Sequence, residues 1–371
     1  MARSYLDHAS TSPARPEAVE AMLAWLSGPA AADPARVHTE GRMARAAVED
    51  ARERVAGLLG ARPREVVFTS GATEAINAAT WGATRLRPDG AVVVPGVEHS
   101  AVRDASARSG RMVVAPVDEL GRVDVDALFD LVVPGTALVH CQVGNHEVGT
   151  LQPVTEVVAA CRERGVPVHV DAAAAAGRVE VDFAALGADL LSVSAHKLGG
   201  PKGTGALLVR RGLRIPPLLV GGDQERARRA GMEDVPAIVG FGAACSALDV
   251  AAEAAAARSH TDRIVAAALA VPGVVAYGDP VARLPHIACV GVAGVEAEGV
   301  LLGLDQAGVA AHSGSACSSE VLEPSPVLEA MGIDAGRSLR LSVGWSTTEA
   351  DIDAFVAAFR LVVDRLRALG D

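Results

Sequence analysis

Two lysines close together are the first residues whose type indicates chemistry. The chain has 34 Lys and Arg residues, and of these only Lys197 and Lys202 are lysine. A lysine amine can lose its proton and form a Schiff base with a carbonyl group, whereas a guanidinium stays protonated. We therefore expect a Schiff-base lysine in this stretch, and two solvated loop lysines are the alternative.

Other reactive side chains follow predicted strands. Asp171 comes directly after the mainly apolar run 166–170, and the turn Ser70–Glu74 joins a short strand to a helix. A strand, a small-residue turn and a helix N-terminus together form an anion cradle of free backbone N–H groups. An ordinary helix N-cap is the alternative role for Asp171. A lysine, a carboxylate and a phosphate cradle are groups that pyridoxal phosphate requires, together with an aromatic or His ring stacked on it.

The elements that must position these residues alternate along the chain. Predicted strands and helices alternate from residue 65 to residue 194, which indicates an α/β fold with a mostly parallel central sheet and ligands at the carboxyl ends of its strands. Residues 206–210 are predicted to return antiparallel, and one helix is predicted from about Pro236 to about Leu269. A smaller α+β unit follows. We expect a large domain at 14–250, and a small domain formed by 1–13 plus 251–371.

Composition excludes several classes of partner. The net charge is −11 and no basic run occurs, so neither nucleic acid nor an anionic membrane is expected as the main partner. No apolar run is long enough to span a bilayer, and the N-terminus lacks the apolar region of a signal peptide. The five cysteines have no metal-ligand spacing, so no metal site is expected, and a reduced cytoplasm fits them best. Four lie in apolar contexts and are expected to be buried, whereas Cys317 lies in a polar loop of small residues.

About ten stretches, in the correct order and nearly from end to end, resemble the cysteine desulfurases of the class V aminotransferase family. These enzymes have the fold of fold-type I pyridoxal-phosphate-dependent transferases. The matching stretches are Tyr5–Thr11, Phe68–Glu74, Glu98–His99, Asn145–Gly149, Val170–Ala172, Ser194–Gly205, Gly221–Gly231, Ser313–Cys317, Leu322–Ser325 and Leu339–Ser342.

The resemblance implies a role for each matching position. Lys197 would bind pyridoxal phosphate covalently and later move protons on substrate carbon, and His99 would stack on the ring and assist proton transfer. Asp171 would pair with the ring nitrogen. Asn145 and Arg340 would bind the substrate, and Arg340 would bind the carboxylate group of the substrate. The residues expected to bind the phosphate are Ala72, Thr73, Ser194 and His196.

The implied reaction converts L-cysteine into L-alanine. Cys317 would attack the substrate sulfur, become a persulfide and pass that sulfur to an acceptor protein, and the length of its loop is typical of the long-loop desulfurases. The resemblance also implies a homodimer. The alternatives are a related lyase (a selenocysteine lyase or a cysteine-sulfinate desulfinase) and a scaffold that binds no cofactor. The sequence does not identify the acceptor, because iron–sulfur assembly, tRNA thiolation, DNA phosphorothioation and natural-product synthesis all begin with the same persulfide.

Three positions depart from the family pattern. His146 and Ala174 replace an Asn and a Gln, and Met232 replaces a Thr that contacts the phosphate from the partner subunit. Because His is larger than Asn and Ala is smaller than Gln, we expect the His146 imidazole to occupy the vacated space and to contact the phenolic oxygen of the cofactor. Met232 offers no hydrogen bond, so we expect weaker phosphate retention. Lys202 is expected to be a surface lysine without a role.

Overall fold

The computed structural model describes residues 3–28, 32–313 and 324–370. The strands in these residues are β1 (Ser4–Tyr5), β2 (Val66–Thr69), β3 (Val92–Pro95), β4 (Met112–Ala115), β5 (Leu138–Gln142), β6 (Val168–Asp171), β7 (Leu190–Ser194), β8 (Gly205–Val209), β9 (Val274–Tyr277), β10 (Ile287–Val292), β11 (Val309–Ala310) and β12 (Ser338–Ser342). The α-helices are α1 (Pro16–Ser27), α2 (Thr39–Leu58), α3 (Ala72–Leu86), α4 (Ser100–Arg108), α5 (Val125–Leu131), α6 (Val154–Glu163), α7 (Phe183–Leu186), α8 (Gln224–Ala227), α9 (Val235–Ser246), α10 (Val250–Leu269), α11 (Ala297–Gln306), α12 (Pro326–Ala330) and α13 (Glu349–Gly370).

The larger part of the chain is built on a central sheet. Its order in the described residues is β2-β8-β7-β6-β5-β3-β4. The neighbouring strands from β7 to β4 are parallel, whereas β8 is antiparallel to both β7 and β2. The predicted mostly parallel α/β sheet and its returning antiparallel strand are therefore confirmed.

The strands of this sheet are apolar because helices cover both of its faces. Every residue of β3, β5, β6 and β7 is buried. On one face α3 packs its apolar side chains, among them Ala75, Ile76 and Ala79, against alternate strand residues, and a separate cluster fills the other face. Because neighbouring strands are parallel, their carboxyl ends lie at one edge of the sheet. The predicted reactive residues lie at or just after these ends.

Two buried histidines are exceptions within the apolar strands. His140 of β5 and His169 of β6 lie directly opposite each other, and their Nδ1 atoms are 2.9 Å apart. The Nε2 atom of His140 lies 3.3 Å from Oγ1 of Thr80 on α3. Burial lowers the pKa of His140 well below its usual value and that of His169 to about 4, so both rings are neutral near pH 7.

The predicted single helix from Pro236 to Leu269 is wrong in one respect. The structure divides it into α9 and α10, which meet at 77°. Asp249 begins α10, because its side chain accepts a hydrogen bond from the backbone N–H of Ala252, and an N-cap of this kind stabilises a new helix start. Among the described residues no single helix is both long and apolar enough to cross a membrane, although this bent pair passes by length and composition together.

A second hydrophobic cluster lies in the C-terminal part of the chain. It joins α10, α11 and α13 to the antiparallel sheet β12-β10-β9, and it includes Leu6 from the N-terminal arm, residues 3–13. The arm reaches this cluster because β1 pairs in parallel with β11, with Ser4 opposite Val309 and Tyr5 opposite Ala310. The boundaries proposed at residues 14 and 250 stay a prediction.

Candidate active site

A cavity of about 620 Å³ lies at the carboxyl edge of the central sheet. Most of the predicted site residues line it together, although they come from sequence positions more than 260 residues apart. These residues are Ala72, Thr73, His99, His146, Asp171, Ser194, His196, Lys197 and Arg340. Another cavity of about 650 Å³ lies near the opposite ends of the strands, but none of the predicted site residues lines it. The sequence-based choice and the geometry therefore agree on the first cavity.

The N-terminus of α3 forms one side of the cavity. No side chain caps this helix, and its first turn, at Ala72 and Thr73, lines the cavity with free backbone donors. Gly71 precedes it at φ 154°, in the region that favours glycine. A Cβ atom on Gly205 would lie 2.7 Å from the Cα atom of Gly71 and 2.5 Å from the carbonyl oxygen of Val193. Two glycines therefore let the turn approach the strands, and an anion fits at the helix end.

Asp171 ends β6 and is almost fully buried. Its Oδ1 atom accepts hydrogen bonds from the Ser192 hydroxyl at 3.0 Å and from the backbone N–H of Ala173 at 2.9 Å. Glu98 lies behind it, where burial and the charge of Asp171 raise the pKa of the Glu98 carboxyl well above its usual value. Burial therefore favours the neutral form of the Glu98 carboxyl, which limits the negative charge next to Asp171.

Lys197 lies at the end of a short 3-10 helix, Ala195–Lys197, that follows β7. Its backbone is held from two directions, since its carbonyl oxygen accepts hydrogen bonds from Nη2 of Arg178 at 3.0 Å and from the Ser12 hydroxyl at 3.4 Å. Next to it, Nδ1 of His196 lies 3.1 Å from the hydroxyl of Thr11. Burial and the charges of Lys197 and Lys202 lower the pKa of His196 to about 4. The N-terminal arm thus fixes the backbone that carries the lysine.

His99 and His146 meet edge to face in the cavity, with ring centroids 4.9 Å apart. Nδ1 of His99 accepts the backbone N–H of Ala101, so the neutral ring carries its proton on Nε2. Burial lowers the pKa of His99, as does the charge of Lys197. The pKa of His146 falls well below its usual value, mainly through burial, and its Nδ1 is buried without a partner among the described residues. Both rings are neutral near pH 7.

Arg340, on β12, lies across the cavity from the sheet edge and is almost fully buried. Its Nη1 donates to the carbonyl oxygen of His146 at 2.9 Å. Its Nη2 donates to Ser10 Oγ at 2.7 Å and to Asp7 Oδ1 at 3.1 Å. The Nε–H group has no hydrogen-bond partner in the described part of the chain. A buried cation with an unused donor is suited to bind an anionic group such as a carboxylate.

Asn145 holds the turn that presents His146. It is fully buried and does not line the cavity. Its Oδ1 accepts the backbone N–H groups of Glu147 and Val148, and its Nδ2 donates to the carbonyl oxygen of Val97. Asn favours such bonds to its own turn. The contact of Asn145 with the substrate stays a prediction.

Several lining residues had no predicted role. Lys202 is exposed, as predicted for a surface lysine, and it also lines the cavity with Lys197. His312 also lines it, and His312 and Arg340 exchange backbone hydrogen bonds. Burial and the charge of Arg340 lower the pKa of His312. Asp7 was part of a matching stretch, but no pattern indicated its contact with Arg340. Met232 is exposed and does not line the cavity, so its effect on phosphate retention stays a prediction.

The cysteines divide into two groups. Cys141, Cys161, Cys245 and Cys289 are free and buried, as predicted, and burial raises the pKa of each thiol. None of these four is available as a thiolate nucleophile near pH 7. Cys317 lies outside the described residues. No group of three or more His, Cys, Asp or Glu residues in the described ranges could hold a metal ion.

The side chains on the cavity fit pyridoxal phosphate. The open helix end at Ala72 would receive the phosphate, Lys197 offers the amine, and the Asp171 carboxylate matches a protonated ring nitrogen. The unpartnered Nδ1 of His146 is a buried polar atom that a cofactor oxygen could satisfy. The fold and these residues together define a fold-type I pyridoxal-phosphate enzyme as the class of protein.

Comparison with known proteins supports this class and narrows it. The sequence profile of the Aminotransferase class-V family matches residues 4–355. Cysteine desulfurase IscS 1 of Archaeoglobus fulgidus is 38% identical over 98% of both chains. A solved NifS-like protein superposes with a TM-score of 0.90 at 30% identity, covering 98% of this chain and 100% of its own. A structure titled SspA in complex with cysteine has a TM-score of 0.83 at 28% identity, with 93% and 100% covered.

The chain belongs to the class-V aminotransferase family, and its similarity to cysteine desulfurases extends over nearly its whole length.

Proposed function

We propose that this protein is a pyridoxal-phosphate-dependent cysteine desulfurase that converts L-cysteine into L-alanine and holds the released sulfur as a persulfide on Cys317. The observation that carries the proposal is a single cavity lined by Lys197, Asp171, the open end of α3 and Arg340. The similarity to a cysteine desulfurase over 98% of both chains supports the same activity.

Each wall of the cavity has its own task in this proposal. The residues Ala72, Thr73, Asp171, Ser194, His196 and Lys197 form the cofactor wall, which binds pyridoxal phosphate. When bound, pyridoxal phosphate supplies an electron sink for negative charge on the substrate carbon atoms. Ser10, His312 and Arg340, with Asp7 behind them, form the carboxylate wall, where Arg340 binds the carboxylate of L-cysteine.

Proton transfer falls to the groups nearest the substrate. The Lys197 amine takes a proton from the substrate α-carbon and returns protons to carbon. His99 is neutral and keeps its Nε2–H as a donor, because its Nδ1 is held by the backbone of Ala101. A neutral imidazole in this position both stacks on a ring and passes a proton without adding a second positive charge beside Lys197.

The sulfur step needs an accessible thiolate. In this step the Cys317 thiolate attacks the sulfur of L-cysteine, an S–S bond forms and the C–S bond breaks. The carbon keeps the electron pair of the C–S bond and gains a proton, so alanine leaves and Cys317 carries the persulfide. The four buried thiols cannot take this role, because burial raises the pKa of each. The proposal extends to a cytoplasmic homodimer that passes the sulfur to an acceptor protein.

The first prediction tests the function directly. Purified protein with added pyridoxal phosphate should become yellow and release alanine from L-cysteine, with sulfide appearing when a thiol reductant is present. Lys197→Ala should abolish the colour that survives dialysis and reduce alanine release by a factor on the order of 10³ or more, since the covalent link and the proton-transfer amine are both lost. Lys202→Ala is the matched control and should keep the dialysis-resistant colour.

The cysteine variants separate the proposed function from its alternatives. Cys317→Ala should keep the colour and lose sulfur release from L-cysteine, whereas Cys245→Ala, which alters a buried thiol, should keep both. If Cys317→Ala still releases selenium from selenocysteine or sulfite from cysteine sulfinate at the parent rate, while the parent scarcely acts on L-cysteine, the related lyase is the correct function. A protein that stays colourless with added pyridoxal phosphate would be a scaffold.

A further inference from the structure

The guanidinium of Arg340 is held in place by the N-terminal arm. Nη2 uses both of its N–H groups on this arm, one on Asp7 Oδ1 at 3.1 Å and one on Ser10 Oγ at 2.7 Å. The Ser10 hydroxyl in turn donates to Asp7 Oδ1 at 2.9 Å, which closes a ring of three hydrogen bonds. The plane of the guanidinium is therefore fixed by two side chains as well as by the carbonyl oxygen of His146.

We infer that Asp7 and Ser10 are positioning residues that orient Arg340 toward the substrate carboxylate. The inference deepens the proposed function and rests on it, because the carboxylate is that of L-cysteine. A guanidinium binds a carboxylate well only when its N–H groups face the oxygens in its own plane. Asp7 and Ser10 occupy Nη2 and leave the buried Nε–H as the donor without a partner among the described residues.

The backbone around this ring keeps the arm in register with Arg340. Asp7 forms a parallel bridge with Ser342, two residues after Arg340 on β12, and the backbone N–H of Ala9 donates to the Ser342 hydroxyl at 2.8 Å. Ser342 is fully buried. The backbone of Arg340 and the two acceptors of its Nη2 are thus fixed to the same strand, so that the arm cannot shift without turning the guanidinium.

The same arm continues to the lysine. The hydroxyl oxygen of Thr11 lies 3.1 Å from Nδ1 of His196, and the Ser12 hydroxyl donates to the carbonyl oxygen of Lys197. Residues 7–12 therefore connect Arg340, which binds the carboxylate, with the backbone of Lys197, whose amine acts on the α-carbon. A substrate amino acid carries its carboxylate and its α-carbon at a fixed separation, and the arm sets the corresponding separation in the protein.

Asp7 could also act through its charge, by competing with the substrate for Arg340, and two variants separate the two roles. Asp7→Ala removes both the acceptor and the charge, whereas Asp7→Asn removes the charge but keeps an oxygen that can accept from Nη2. For positioning, Asp7→Ala should raise the KM for L-cysteine by about tenfold and change kcat by less than about threefold, since binding of a carboxylate present in both ground and transition state is lost. Asp7→Asn should restore the KM to within about threefold of the parent.

The control comes from the same arm. Arg3 forms an exposed ion pair with Asp305 and does not contact Arg340, so Arg3→Ala should leave the KM unchanged. Ser10→Ala keeps the Asp7 contact and should raise the KM by a smaller factor, on the order of threefold. Thermal unfolding of each variant shows whether it is folded, and a variant that unfolds early is replaced by Asp7→Ser, which keeps a short polar side chain.

A binding measurement makes the result independent of catalysis. L-alanine is titrated into the protein loaded with pyridoxal phosphate, and the heat of binding is measured by calorimetry. The dissociation constant should be about tenfold larger for Asp7→Ala than for the parent. Ethylamine, which lacks the carboxylate, should bind both proteins equally. A parent that binds L-alanine but releases no alanine from L-cysteine refutes the proposed function and leaves the positioning role supported. The inference is overturned if Asp7→Ala binds L-alanine as tightly as the parent or more tightly, or if the parent does not bind L-alanine.

Discussion

The cofactor wall and the carboxylate wall face each other across one cavity, but they are held in different ways. The cofactor wall consists of strand ends and one helix end, and its shape depends on backbone ladders and on two glycines in contact. The carboxylate wall depends on hydrogen bonds between side chains, such as that from Arg340 to Asp7, whose partners are 333 residues apart. The first wall therefore has no room for an added atom where Gly71 meets Gly205, whereas the orientation of Arg340 in the second depends on each polar partner.

Among the changes that test this difference between the walls, the largest effect is expected from one that tests the rigidity of the cofactor wall. Gly205→Ala places a methyl group 2.5 Å from the carbonyl oxygen of Val193 and 2.7 Å from the Cα atom of Gly71. Gly71 directly precedes α3, so a movement of Gly71 that relieves this contact shifts the end of that helix. Overpacking of this kind costs about 1–3 kcal/mol of stability. We expect a melting temperature several degrees lower and at least about tenfold weaker binding of pyridoxal phosphate. Fluorescence titration of the cofactor-free protein measures the binding.

Gly57→Ala is the control for this variant. Gly57 lies within α2, and a Cβ atom there would meet nothing within 4 Å. Alanine favours helix by about 1 kcal/mol over glycine, so this variant should be at least as stable as the parent. Equal cofactor binding by Gly205→Ala and Gly57→Ala would show that the two glycines do not shape the phosphate cradle.

A smaller effect is expected where the two walls meet. His146 contacts His99 on one side, and its carbonyl oxygen accepts from Arg340 on the other. His146→Ala should increase the loss of pyridoxal phosphate on dialysis by about three- to tenfold, because the imidazole expected to contact the phenolic oxygen of the cofactor is removed. His312→Ala, a change on the carboxylate wall, should alter the KM for L-cysteine and leave cofactor retention unchanged. Identical retention, and identical pH titration of the bound chromophore, in His146→Ala and the parent would refute a cofactor contact by His146.

The last expected effect concerns stability alone and is a pH dependence that originates beneath the cofactor wall. Histidine titrates near 6.5 in the unfolded chain, whereas burial lowers the pKa of His169 to about 4 in the folded protein. As the pH falls from about 6.5 to about 4, the unfolded state binds the proton first, so the free energy of unfolding decreases. For His169 alone this amounts to about 2 kcal/mol at pH 5. The 2.9 Å contact between the Nδ1 atoms of His140 and His169 also requires that one of them lacks a proton.

Urea unfolding at pH 7.5 and at pH 5 measures this slope. The variant with both His140→Leu and His169→Leu should show a flatter dependence than the parent over the same range. An equal slope in both proteins would assign the acid sensitivity to other groups, of which His196, with a pKa of about 4, and His8, with a pKa of about 3, are the first candidates.

Sequence patterns placed residues of the cofactor wall at one sheet edge for a physical reason. Asp171 and Ser194 each end a buried strand and Lys197 lies three residues beyond β7, and parallel strands bring such positions to one edge whatever the details of packing. The uncapped end of α3 could be predicted for the same reason, because a strand, a turn of small residues and a helix are neighbours in the chain. The antiparallel β8 and the burial of four cysteines were predicted from equally local patterns.

Less of the carboxylate wall could be predicted from the sequence. The contact of Asp7 with Arg340 joins the two ends of the chain, and no local pattern encodes which side chains meet over that separation. The hydrogen bonds from the backbone N–H groups of Glu147 and Val148 to the Asn145 amide oxygen were also not predicted. The break between α9 and α10 was missed because alanine-rich sequence favours helix throughout, and the only local signal was Asp249 as an N-cap.

The pairing of β1 with β11 has a consequence for synthesis on the ribosome. The arm is made before the central sheet, whereas its partners at residues 309–310 and 338–342 are made after that sheet. Domains fold from the N-terminus while the chain grows, so the central sheet can assemble early, and the arm waits without its strand. A chain that stops before residue 338 can therefore contain every residue of the cofactor wall and still lack the guanidinium that the arm orients.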